Sequence, residues 1–121
     1  MITYLTDPTD GVVELTVAGA ISRDDYDRVV AEMDGAIAAF GKLRLIEIIE
    51  DIGSIDSAIW WRDVTWAWQH IKDIARCAVV TDSGWIGPVT RAAGALLPAE
   101  IRVFPLAELA AARAWVRDTA V

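Results

Sequence analysis

The chain has 121 residues, which fits one domain, and 55% of them are hydrophobic. Its formal net charge of −7 argues against binding to nucleic acid or to anionic membranes, because both need clustered Lys and Arg. One cysteine and one histidine exclude an internal disulfide and a zinc site built from those residue types. The apolar runs are far shorter than the ~18 residues of a membrane span. The first residues lack the basic and apolar parts of a signal peptide, so we expect a cytoplasmic protein.

The first two elements are predicted to be paired strands. Residues 12–18 alternate in part, with Val13, Leu15 and Val17 on one face, which is typical of a strand. Residues 2–5 form a predicted partner strand, because the Asp-Pro and Asp-Gly pairs within residues 7–11 indicate a turn.

A helix is predicted between Ser22 and Gly41. Ser22 is a typical N-cap, and Asp25 lies three residues later, as in a capping box. Gly41 is well placed to end the helix. Helical spacing relates the apolar residues Tyr26, Val29, Val30, Met33, Ile37 and Phe40.

Strands and helices alternate over the rest of the chain. Residues 43–49 are nearly all apolar, so we expect a strand covered on both faces. Further strands are predicted at residues 75–81 and 101–104. Helices are predicted from Asp56 or Ser57 to about Asp73, from Pro88 to Pro98, and from Pro105 through Val116. The pattern predicts one α/β domain, residues 1–121, with a mixed, mainly parallel sheet of about five strands and about four helices.

Five local segments, taken in this order, are similar to the SpoIIAA-like family, which is related to STAS domains and to the CRAL-TRIO lipid-transfer fold. They are residues 19–26, 41–49, 61–70, 76–85 and 101–116. The resemblance covers nearly the whole chain and implies a STAS-like fold. It also implies a likeness in fold to anti-sigma-factor antagonists.

The antagonists carry a phosphorylatable serine in an Asp-Ser context before a helix, and Asp56-Ser57 stands at about that place. The resemblance therefore makes Ser57 a candidate phosphoacceptor, and a phosphate there would meet the free N–H groups of a helix N-terminus. The alternative is an ordinary helix cap. The residues that follow, 58–61, depart from the small, Gly-containing pattern of the antagonists.

The predicted helix after Ser57 holds four of the six tryptophans. Most of its apolar residues share one face, whereas Ile59 and Trp66 lie nearly opposite. Trp66 is thus either covered by a neighbouring element or exposed to a partner. The rings could also line a cavity for an apolar ligand or simply fill the core. The candidate ligand or interface residues are Ile59, Trp60, Trp61, Trp66, His70 and Trp85.

Acidic residues are expected at the carboxyl edge of the sheet, where open α/β sheets bind ligands and where Mg²⁺ would find oxygen donors. They are Glu50, Asp51, Asp56 and Asp82. Solvated loop carboxylates are the alternative. His70 has no nucleophile signature beside it, and Cys77 lies in mid-strand, where a buried thiol is normally inert.

These patterns predict a non-enzymatic protein-interaction or regulatory module of the STAS-like type, working as a homodimer, with no metal and no cofactor. The alternative function is a carrier or sensor of a small apolar, lipid-like ligand bound beside the Trp-rich helix. A hydrolytic or phosphotransfer enzyme that uses the acidic edge ranks last.

Overall fold

Five strands form one mixed sheet in the order β1-β2-β3-β4-β5. A computed structural model describes residues 2–18, 22–50, 71–82 and 100–118, together with the single helical positions 69 and 91. The strands are β1 Ile2–Thr6, β2 Val13–Val17, β3 Leu43–Ile49, β4 Ile74–Thr81 and β5 Glu100–Phe104. β1 is antiparallel to β2, and every other neighbouring pair is parallel. The predicted fold class is therefore confirmed.

Two α-helices lie within the described residues, α1 at Arg23–Phe40 and α2 at Leu109–Arg117. The two helices predicted between β3 and β4 and between β4 and β5 fall largely outside them. A 3₁₀ turn at Ile71–Asp73 leads directly into β4, and another at Leu106–Glu108 precedes α2. The last helix therefore begins later than its prediction from Pro105. Among the described residues, no helix is both long enough and apolar enough to cross a bilayer.

The predicted capping box at the start of α1 is confirmed. The Ser22 side chain accepts a hydrogen bond from the Asp25 N–H, and the Asp25 carboxylate accepts one from the Ser22 N–H. These two bonds satisfy helix N–H groups that have no partner within the helix. Gly41 ends α1 at a φ of 83°, and its N–H donates to the Ile37 carbonyl.

The turn between β1 and β2 is closed by its own backbone and by aspartates. The Asp7 N–H donates to the Val12 carbonyl, and the Gly11 N–H donates to the Asp7 carbonyl. Gly11 has a φ of 74°, and a Cβ there would lie 2.5 Å from the Phe40 ring. Glycine is required here both for the positive φ and for the approach of that ring.

The sheet carries one apolar core on each face. α1 covers the face that includes Val13, Leu45 and Val79. α2 covers the opposite face, where Ala112 and Val116 pack on Ile46, Val80 and other side chains. β3 contributes to both cores because its successive residues point to opposite faces, as expected for a central parallel strand.

Candidate functional site

Most of the residues that the sequence singles out lie outside the described part of the chain, and their proposed roles stay predictions. This set comprises Asp51, Asp56, Ser57, Ile59, Trp60, Trp61, Trp66, His70 and Trp85.

Of the predicted acidic edge, the structure describes Glu50 and Asp82. Glu50 follows β3 and Asp82 follows β4, as predicted from parallel strands. The Asp82 carboxylate accepts a hydrogen bond of 2.9 Å from the Leu106 N–H and so caps the 3₁₀ turn before α2. The described residues hold no group of three side chains suited to bind a metal. Cys77 is buried in β4, as predicted.

Two arginines on adjacent strands hold the C-terminal end of α2. Arg44 of β3 and Arg76 of β4 are register partners. The Arg44 guanidinium donates to the carbonyls of Val116 and Asp118, and that of Arg76 donates to the Trp115 carbonyl at 2.7 Å. The last carbonyls of a helix have no partner within the helix, so these bonds satisfy them and fix α2 on the sheet.

The Trp115 ring also contacts Arg76. We call Arg44 and Arg76, together with their contacts to the end of α2, the arginine clamp. The Arg76 guanidinium lies 4.9 Å from the centre of the ring and that of Arg102 lies 5.9 Å from it. Phe104 packs against the same ring at 6.0 Å between centroids. None of these residues was predicted from the sequence to belong to a site. The sequence holds one signal for them: β3, β4 and β5 each carry an arginine two residues before an apolar residue.

β1 presents the most open apolar surface among the described residues. Leu5 is 70% exposed and Tyr4 is 43% exposed, although both belong to a strand. Among the described strands, β1 stands at the edge of the sheet and pairs with β2 alone. Its sequence, Ile-Thr-Tyr-Leu-Thr, contains no charged residue and no proline, which commonly protect an edge strand from pairing with another chain.

The inner side of β1 is firmly held. The Thr6 hydroxyl donates to the Glu32 carboxylate of α1. Arg117 of α2 binds Asp10 of the turn at 2.9 Å, and it also approaches Asp7 at 3.5 Å. Hydrogen bonds from Thr9, and then the Arg117 charge, hold the pKa of Asp7 below its ordinary value of 3.8. The exposed edge is therefore part of an ordered hairpin.

The Arg113 side chain of α2 also holds the hairpin, through Glu14 of β2. Its guanidinium makes two hydrogen bonds with the Glu14 carboxylate of β2, at 2.8 and 3.0 Å. Hydrogen bonding to Glu14 raises the pKa of Arg113 above its ordinary value. Glu14 is the register partner of Leu5, and α2 is thus tied to the strand beside the exposed leucine.

Comparisons with known proteins agree on the fold. The structure is similar to the crystal structure of an uncharacterized protein from the DUF3478 family with a SpoIIAA-like fold from Shewanella loihica PV-4, with a TM-score of 0.70 and 19% sequence identity. That likeness covers 96% of this chain and 92% of the other. No curated protein matches the chain. The sequence pattern of the SpoIIAA-like family matches residues 12–117, and the chain therefore belongs to the SpoIIAA-like family.

Proposed function

We propose that this chain is a non-enzymatic protein-interaction module of the STAS-like type that works as a homodimer. The observation that carries the proposal is the uncharged edge strand β1, with Tyr4 and Leu5 exposed on an ordered hairpin. An edge strand offers a row of backbone donors and acceptors to another chain, and exposed apolar side chains add a driving force for association.

The charge distribution of the chain supports β1 as the place of contact. Two chains of net charge −7 repel each other, and association is least opposed where neither surface is charged. The carboxylates of the hairpin itself, those of Asp7, Asp10 and Glu14, are each paired with an arginine of α2, and the Glu32 carboxylate of α1 accepts a hydrogen bond from Thr6. The acidic edge offers less support for catalysis than β1 offers for association, because the Asp82 carboxylate already accepts a hydrogen bond from the 3₁₀ turn before α2.

Sedimentation velocity over a wide range of protein concentration tests this function. We expect a monomer–dimer equilibrium in which the dimer grows with concentration. Added salt should strengthen it, because salt screens the repulsion between the two acidic chains and leaves an uncharged contact intact. A chain that stays monomeric at the highest concentration would overturn the proposal.

A pair of variants with equal charge separates the edge strand from the rest of the surface. Leu5→Lys places a charge on β1, and lysine is a natural protector of edge strands. Ala38→Lys adds the same charge on an exposed position of α1. We expect Leu5→Lys to remove the dimer and Ala38→Lys to preserve it. Equal loss of dimer in both variants would show that the effect is not specific to β1.

A further inference from the structure

The backbone of β1 has a defined set of outward-facing groups. In an antiparallel ladder, residues alternate between pairs that exchange hydrogen bonds and pairs that do not. The Asp7 N–H donates to the Val12 carbonyl, which places this pair among the hydrogen-bonded ones. Counting back along the register, Leu5 and Thr3 bond to β2, whereas Thr6, Tyr4 and Ile2 point their N–H and C=O groups away from it.

The other end of the ladder gives the same alternation of inward-facing and outward-facing residues. The Val17 carbonyl accepts a hydrogen bond from the Glu50 N–H beyond β3, so Val17 faces β3 and not β1. Its partner Ile2 must then turn its own polar groups outward. No described residue bonds to the outward groups of Ile2, Tyr4 or Thr6. They form a free hydrogen-bonding edge that is symmetric about Tyr4.

We propose that two copies of this chain join their β1 strands antiparallel, with Tyr4 opposite Tyr4 on the two-fold axis, to form one continuous sheet. This inference rests on the proposed function and specifies its partner and register. In this register Ile2 of each copy lies opposite Thr6 of the other, so every outward N–H and C=O group of both strands finds a partner. A register centred on Thr3 or on Leu5 leaves the outward groups of one end unpaired.

The side chains suit the same register. Pairing about Tyr4 preserves the faces of the sheet, so the two tyrosines meet on the face that α1 covers. On the other face Leu5 of each copy lies opposite Thr3 of its partner. Aromatic pairs are favourable across strands, Leu5 and Thr3 are both uncharged, and no like charges meet. The contact is isologous, and therefore it closes as a dimer.

The size of this contact sets its expected strength. A single pair of five-residue strands buries much less than the ~1,600 Å² of a standard stable interface. We therefore expect a dimer that forms reversibly and dissociates on dilution. Cross-linking at the proposed register captures such a dimer and reports its geometry.

Disulfide trapping tests the register with three single variants on exposed or edge positions, Thr3→Cys, Tyr4→Cys and Leu5→Cys. In the proposed register the two Tyr4 positions are ~5.5 Å apart between Cα atoms, and Thr3 lies ~4.5 Å from Leu5 of the other copy. Both distances allow a disulfide. Equivalent Thr3 positions, or equivalent Leu5 positions, lie ~7–8 Å apart, which is too far. The unchanged chain is the control, since its only cysteine, Cys77, is buried.

We expect a cross-linked dimer from Tyr4→Cys alone and from a mixture of Thr3→Cys with Leu5→Cys, and none from Thr3→Cys or Leu5→Cys alone. Cross-linking of either of those two alone, without Tyr4→Cys, would establish another register and overturn the inference. Absence of every cross-link in chains that sediment as dimers would overturn it too, but would leave the proposed function standing. Chains that never dimerise would overturn both.

Discussion

Arg76 offers a direct test of how α2 is held on the sheet. Its side chain is only 15% exposed, and its guanidinium donates to the Trp115 carbonyl while lying over the Trp115 ring. A hydrogen bond from a charged donor contributes about 1.5–3 kcal/mol, and a cation–π contact about 0.5–1 kcal/mol. The ion pair with Glu100 adds little, because that carboxylate is 62% exposed. We therefore expect Arg76→Met, which keeps the aliphatic stem, to lower the free energy of unfolding by about 2–3 kcal/mol.

Urea unfolding followed by circular dichroism measures this loss, and Glu100→Gln is the matched control because it removes only the exposed ion pair. The control should cost less than about 1 kcal/mol. Hydrogen exchange adds a local readout: Arg76→Met should accelerate the exchange of α2 amides more than that of α1 amides. If Arg76→Met unfolds within about 0.5 kcal/mol of the unchanged chain, the guanidinium does not anchor α2 and the reasoning fails.

Three further predictions concern the hairpin and α1. Gly11→Ala should destabilise the protein by about 1–3 kcal/mol, because it adds a Cβ at positive φ against the Phe40 ring, whereas Gly35→Ala, where a Cβ meets open space, should stabilise it by up to about 1 kcal/mol; equal effects in thermal unfolding would contradict this. Ser22→Ala should cost about 1 kcal/mol through loss of the capping box, and a neutral result in urea would reject that role. Hydrogen bonds from Thr9 lower the pKa of Asp7, and those from Ser22 lower the pKa of Asp25. The stability that these carboxylates contribute is therefore complete above pH 3.8 and is lost as the pH falls through the lowered pKa values. Between pH 6 and pH 3 the free energy of unfolding should decline less in the Asp7→Asn, Asp25→Asn double variant than in the unchanged chain.

Local signals in the sequence were sufficient for the hairpin and for α1. The Asp-Pro and Asp-Gly pairs predict the turn, and Gly11 adopts the positive φ that glycine favours. Ser22 and Asp25 form the capping box because their spacing matches the first turn of a helix. Such features depend on a few neighbouring residues, and therefore composition and spacing predict them. The continuous apolar run of β3 likewise predicts burial on both faces.

The arginine clamp and the open edge depend on residues far apart in the chain, and no spacing rule predicts them. Arg44 meets Val116 across 72 positions, and Arg113 meets Glu14 across 99. To predict either contact, one must first know the strand order and the position of α2 on the sheet. The 3₁₀ turn after Pro105 has a similar cause, since the Asp82 carboxylate binds the Leu106 N–H from the end of another strand.

The position of β1 links the charge of the chain to its proposed way of associating. α2 pairs with the hairpin carboxylates of Asp7, Asp10 and Glu14 through Arg113 and Arg117. The same arginines brace the hairpin against the rest of the fold, which keeps the outward groups of β1 in register before any partner arrives. Pre-ordering of this kind lowers the entropy cost of association. A short, uncharged strand can therefore pair two acidic chains without the broad apolar surface that a mobile segment would need.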